Sequence, residues 1–188
     1  KTLMVKDSLE KSTNYLQWTK DGSYYQRKEI HDVKVEDLLK KMEKDFKYLK
    51  LHKCIANTQK AVLKNSIENL RDDEVIIIVD FSERFISKAN REIQSSYFGK
   101  KLISIYTARM YVGKQAFSYV IASDDQAQSK YTVFAYNQAL IERAKEFNLN
   151  INHVKIFSDG CAMQFKNRFN ILNLLHADDD FGVSLEWH

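Results

Sequence analysis

Helix-period stretches and short β-branched runs divide this chain into two halves of different character. Leu38, Leu39, Met42, Phe46 and Leu49 recur at helical spacing, with Lys40, Lys41, Glu43, Lys44 and Lys47 opposite them. The pattern predicts a helix with one face turned to a core. Leu51, Ile55, Thr58, Val62 and Leu70 repeat that period and predict a second helix, ending near Arg71-Asp72-Asp73. Ahead of them the signals are weak. Asp21-Gly22 suggests a turn, and Ser23-Tyr24-Tyr25-Gln26-Arg27 a short strand.

From Glu74 the pattern changes. Glu74-Val75-Ile76-Ile77-Ile78-Val79-Asp80 is a continuous β-branched run, apolar on both faces, as a buried central strand requires. Leu102–Tyr111 and Gln115–Ala122 read as a hairpin joined at Val112-Gly113-Lys114. Tyr131–Phe147 reads as a helix with Val133, Phe134, Ala139, Leu140, Ile141 and Ala144 as its apolar positions. A strand over Val154–Gly160, with Asp159 at its end, follows, then a helix over Met163–Leu175 with Phe165, Phe169, Leu172 and Leu175 on one side, then a strand over Val183–Trp187. The expected organisation is an extended segment with two helices over residues 1–73 and an α/β domain of order β-β-β-α-β-α-β over 74–188. The hairpin supplies an antiparallel part and the helical crossovers a parallel part.

Composition narrows the class. With 44% hydrophobic and 29% charged residues among 188, the chain has the balance of a folded protein, not a disordered one. The longest apolar run, Val75–Val79, is far short of the roughly 20 residues of a membrane span. No signal peptide is visible at the start, and the chain begins at Lys1 without Met, as a piece of a longer protein would. A net charge of +4 is compatible with a nucleic-acid partner without demanding one. Cys54 and Cys161 lie far apart and read as two reduced thiols of an intracellular protein. His153, His176 and His188 lack the spacing of a zinc site.

Two acids stand where α/β proteins build sites. Asp80 ends the most buried strand, and Asp159 ends the strand after the long helix. A carboxylate at the edge of an apolar interior is costly unless it has a partner. A divalent cation is such a partner, because Mg²⁺ takes one or two protein carboxylates together with water and phosphate oxygens. The alternative is that both acids are ordinary turn or cap residues. Asp124 and Asp125 read as helix-capping residues, and Asp178–Asp180 as a solvated loop.

Several segments together resemble one family. They are Leu51-His52-Lys53-Cys54-Ile55-Ala56 with Gln59, Val79-Asp80-Phe81-Ser82-Glu83, Ile93-Gln94-Ser95-Ser96-Tyr97-Phe98-Gly99, the block from Phe157 to Arg168, and Asp180-Phe181-Gly182-Val183 with Glu186-Trp187-His188. In this order, over about residues 45 to 188, they look like transposase-derived proteins of the ribonuclease-H-like (DDE/DDD) type, common in invertebrate genomes. The Ser158-Asp159-Gly160…Gln164-Phe165-Lys166-Asn167-Arg168 block is the most specific. Arg84-Phe85 replaces the usual Asn-Tyr, and no His stands between Asp124 and Tyr131.

The resemblance implies a ribonuclease-H-like fold in which the first and fourth strands carry neighbouring acids of a metal site. Asp80 and Asp159 would then bind Mg²⁺ or Mn²⁺ for cleavage or transfer of DNA strands in a nuclear protein, with transposon ends or target DNA as partner and a homo-oligomer as the assembly. The family's third acid lies on a helix after the last strand, so the resemblance places it beyond His188 and leaves the final helix of the fold missing. Lys166, Asn167 and Arg168 open the predicted helix after Asp159 and would bind phosphate with help from its amides, or else be plain exposed residues. Glu83 would reach the metal or fix its loop. His52 and Gln59, on one helix face, would orient the strand bearing Asp80. A domesticated module that binds nucleic acid or protein without catalysis, and a nuclease on the same fold, are the alternatives.

Overall fold

A computed structural model describes residues 11–22, 24–86 and 102–188, in two compact units, Lys1–Thr58 and Gln59–His188. The Ile93–Gly99 motif lies outside the described residues. The first unit opens with an antiparallel hairpin, β1 (Ser12–Asp21) and β2 (Tyr24–Lys34), turning at Gly22. Gly22 has φ +58, a left-handed conformation that costs glycine little. The pattern had suggested only a short strand here. Polar residues dominate both strands, so their apolar alternation is faint.

Helix α1 (Val35–Glu68) is continuous, where two helices were expected. Its 34 residues include neither Gly nor Pro, so nothing breaks the ladder at Lys50. Pairs such as Lys40–Glu36 at 2.7 Å and Lys47–Glu43 at 3.3 Å brace its surface. The expected core face is not a core: no α1 residue is buried, and Leu39, Met42, Phe46 and Leu49 are exposed. The expectation put the domain boundary at residue 73. The compact units divide at Thr58/Gln59, and the last turns of α1 carry half-buried Val62, Leu63 and Ile67.

The second unit is α/β with a mixed sheet. Its elements are β3 (Glu74–Phe81), β4 (Phe85–Ile86), β5 (Leu102–Val112), β6 (Gln115–Ser123), α2 (Lys130–Phe147), β7 (His153–Phe157), α3 (Arg168–Leu175), α4 (Ala177–Phe181) and β8 (Ser184–Trp187). Strand β3 is central, antiparallel to β5 and parallel to β7. Beyond them, β6 and the two-residue β4 pair with β5, and β8 pairs in parallel with β7. The C-terminal ends of β3, β6, β7 and β8 therefore point the same way.

The core lies where Val75, Ile77 and Val79 meet Tyr106, Ala108 and Met110 of β5, Val154 and Ile156 of β7, and Val133, Leu140, Ile141 and Ala144 of α2. Periodicity had also put Phe134 and Ala139 on the inner face of α2. Ala139 is exposed and Phe134 packs on Phe181 at 5.3 Å, while Asn137 takes the buried place. Asn137 is tolerated there because the Tyr106 hydroxyl donates to its Oδ1 at 2.8 Å.

Helix α3 starts five residues later than expected. Phe165 and Lys166 amides both donate to the Cys161 carbonyl, closing a turn ahead of it. Phe165 is buried, but Leu172 and Leu175 are exposed, against the expected apolar side. Asp178–Asp180, expected in a loop, form exposed turns of α4, which Gly182 ends at φ +60. No helix among the described residues is long and apolar enough to cross a membrane.

Burial sorts the apolar positions into two kinds. Ile77→Ala in the central strand should lower the unfolding free energy by about 2–5 kcal/mol. Phe46→Ala on the exposed face of α1 should change it by about 0.5 kcal/mol or less. Denaturant titration followed by circular dichroism separates the two.

Candidate functional site

The parallel register of β3 with β7 builds the site. The last pair is Ile78 with Phe157, and two residues further along each chain stand Asp80 and Asp159. Neighbouring strands thus deliver both carboxylates to the same end of the sheet at the same level. Each is held from its own side. The Asp80 carbonyl accepts from Thr107 Oγ1 at 3.1 Å, and the Ser82 amide extends the ladder to the Ile105 carbonyl at 2.9 Å. Asp159 Oδ1 accepts from the Cys161 amide at 3.0 Å, which orients the carboxylate across the turn that follows.

The strand end under Asp159 is fastened to the last residues of the chain. Trp187 Nε1 donates to Ser158 Oγ at 2.8 Å, and the Ser158 amide to the His188 carbonyl at 3.2 Å. The His188 ring stacks on Phe157 at 4.5 Å. Glu186, on β8, faces two imidazoles, His188 Nε2 at 2.9 Å and His153 Nε2 at 3.4 Å.

The electrostatics of the acid pair agree with this placement. Asp80 has its carboxyl pushed above the usual range, first by partial desolvation and then by the negative charge of Asp159. Among the described residues, the Phe81 backbone amide acts to lower it, and no cation does. Buried Tyr106 is pushed upward by desolvation and by the charge of Asp80, so its phenol stays neutral and donates to Asn137. This Tyr106–Asn137 pair was not foreseen. The alternation of β5 marks Tyr106 as inward, but nothing in helix periodicity marks Asn137 as its acceptor.

The other expected site residues are distributed as follows. Lys166 and Arg168 are exposed beside the start of α3, and Asn167 between them caps that helix. Asn167 Oδ1 accepts from the Phe169 and Asn170 amides, each at 3.2 Å, while its Nδ2 faces the Ala162 and Gln164 carbonyls at 3.3 Å. Its polar atoms are engaged in the turn, so it serves the site by shape. Glu83 is exposed just past β3. His52 and Gln59 are exposed on α1, the first in one compact unit and the second in the other. Asp125 organises the loop ahead of α2 through Ala127 N at 2.9 Å and Thr132 Oγ1 at 3.2 Å, while Ser129 stands at the cap position itself. Arg84 donates to the Gln126 carbonyl at 2.9 Å and ties that loop to the segment after β3.

Among the described residues, no group of three or more His, Cys, Asp or Glu side chains gathers as a metal cage. Two carboxylates at one strand level suit a hard cation that keeps water or phosphate oxygens in its other positions. Without a cation the pair carries a penalty with a definite sign. A folded-state pKa raised above 3.8 makes Asp80 disfavour folding once pH climbs through that range. In metal-free buffer, Asp80→Asn should raise the melting temperature at pH 7, and the gain should vanish as pH falls below 3.8. A gain that persists unchanged at acid pH would show that charge is not its cause.

No curated protein matches the chain. A family model described as Domain of unknown function (DUF8701) matches residues 59–188, which are the residues of the second compact unit. With that model spanning well over half its length, the chain belongs to the family Domain of unknown function (DUF8701).

Proposed function

We propose that the second compact unit is a ribonuclease-H-like, transposase-derived core that acts on phosphodiester bonds with Mg²⁺ or Mn²⁺ held between Asp80 and Asp159. The observation that carries this reading is that Asp80 and Asp159 stand at the same end of two adjacent parallel strands, where burial and then the charge of Asp159 push the Asp80 carboxyl up. A bound divalent ion would neutralise that repulsion and polarise the phosphate being attacked.

The chain's own residues have separable parts in this proposal. Asp80 and Asp159 would hold the ion from the ends of the neighbouring strands β3 and β7. The Cys161 amide keeps one oxygen of Asp159 engaged, leaving the other for the ligand. Tyr106 and Phe81, in edge contact at 4.8 Å, pack into the core beside the end of β3. Lys166 and Arg168, both exposed beside the start of α3, would meet the phosphate backbone of DNA, the proposed substrate. The proposed setting is the nucleus.

Metal linkage tests the proposal. Mg²⁺ or Mn²⁺ at ten times its Kd should stabilise the protein by about 1.4 kcal/mol, seen as a rise in melting temperature. Asp80→Asn and Asp159→Asn should each remove most of that increment. If the Asn variants respond to metal as the parent does, the ion binds elsewhere and the proposal fails. DNA binding with no metal-dependent stabilisation would instead favour the domesticated, non-catalytic module.

A further inference from the structure

Helices α2 and α3 both start from the end of the sheet that carries Asp80 and Asp159, because β6 and β7, which precede them, run parallel to β3. Side-chain contacts join the two starts. Gln128, two residues before α2, lies 3.5 Å from Gln164 and donates to Ser104 Oγ of β5 at 3.2 Å. Just beyond, Tyr131 of α2 and Phe169 of α3 meet with ring centroids 6.3 Å apart.

Two cations surround this aromatic pair. Lys130 Nζ sits 3.2 Å from the Phe169 centroid and 5.0 Å from that of Tyr131, and Arg168 lies 5.1 Å from Phe169. The two rings differ in what they leave open. Phe169 is half-buried and covered by Lys130. Tyr131 is 69% exposed, and the side chains that hold it, Phe169 and Lys130, meet it from the side of α3. Packing of α2 against α3 needs the inner edge of Tyr131 and makes no use of its outer surface.

We propose that Tyr131, Lys130, Phe169 and Arg168 form a stacking platform for an unpaired nucleobase of a single-stranded nucleic acid. This deepens the phosphodiester reading above and rests on it for the nature of the substrate. Tyr131 offers its open ring to the base. Phe169 anchors that ring and, through its own face, holds the Lys130 ammonium beside it. Lys130 and Arg168 then meet the phosphates on either side of the stacked nucleotide, the combination by which single strands are bound without sequence readout. A duplex keeps its bases stacked on one another and has none to offer Tyr131, so the platform selects single strands over duplex.

Fluorescence anisotropy with the whole chain, in EDTA at low salt, tests the platform independently of any metal. The probes are labelled oligothymidylate and oligouridylate of about twelve nucleotides and a duplex of equal length. The single strand should bind more tightly than the duplex. Tyr131→Ala should weaken single-strand binding about tenfold, while Tyr131→Phe, which keeps the ring, should stay within about twofold. Lys130→Gln should reduce the salt dependence by about one counterion. Either polymer bound with this Tyr131 dependence carries the proposal, and the tighter of the two identifies the source.

Equal affinity for duplex, or a Tyr131→Ala affinity within about twofold of the parent, overturns the proposal; the exposure of Tyr131 makes misfolding an inadequate excuse, and a melting curve checks it. Loss of the metal response with Tyr131-dependent binding intact would instead sink the phosphodiester reading and leave the platform standing.

Discussion

Strand β3 is the constraint on which the second unit is built. Its Val75, Ile76, Ile77 and Val79 are buried, so the strand must be covered on both faces and paired on both edges. Each such side chain contributes about 1.5–3 kcal/mol when removed from water, so the strand cannot be displaced without losing the core. Antiparallel pairing with β5 needs no crossover, but parallel pairing with β7 requires a long connection, and α2 supplies it. The same topology turns the C-terminal ends of β3, β6, β7 and β8 to one side. The placement of the acid pair and of the starts of α2 and α3 follows from that single arrangement.

The two ends of β3 treat a carboxylate in opposite ways. Glu74, at the start, is buried, and burial alone would push its carboxyl up. Lys155 on β7 at 3.1 Å, together with Arg71 at 3.2 Å, overrides that and holds it below the usual range. Glu74 therefore favours folding above pH 4.5 and loses that contribution as pH falls through its lowered folded-state value. Asp80, at the other end, is partly desolvated and meets another carboxylate, and its shift runs upward. A structural acid with its counter-charges in place and a repelling pair at the strand end are different kinds of site. The second kind marks where a ligand is worth seeking.

The first unit is held together by other means. With no residue of α1 buried, helix-compatible composition and surface ion pairs of about 0.2–0.5 kcal/mol each bear more of the burden there. Lys41 links helix to hairpin, lying 5.0 Å over the Tyr15 ring and donating to Gln17 and to the Tyr15 hydroxyl. Such contacts order the elements without drying an apolar interior. That distinguishes this unit from the one matched by the family model.

Local pattern alone determined the strand at Val75–Val79, the hairpin at Gly113, the long helix before Phe147 and the conspicuous position of Asp80 and Asp159. β-branched runs, turn residues and helical period are short-range signals, and each is visible within a dozen residues. The tertiary structure decided what such signals do not carry. Whether Leu39, Met42, Phe46 and Leu49 face a core depends on what packs against them, and no period can say that it is nothing buried. The delayed start of α3 arose because the Cys161 carbonyl captured two amides and Asn167 capped the helix, a local competition that the apolar spacing of Phe165 and Phe169 concealed. The pairing of Tyr106 with Asn137, and the meeting of Lys130 and Tyr131 with Phe169, join residues more than thirty positions apart. So does the register that brings Asp80 and Asp159 to one end of the sheet, because β3 and β7 become neighbours only through long-range burial of β3 between β5 and β7.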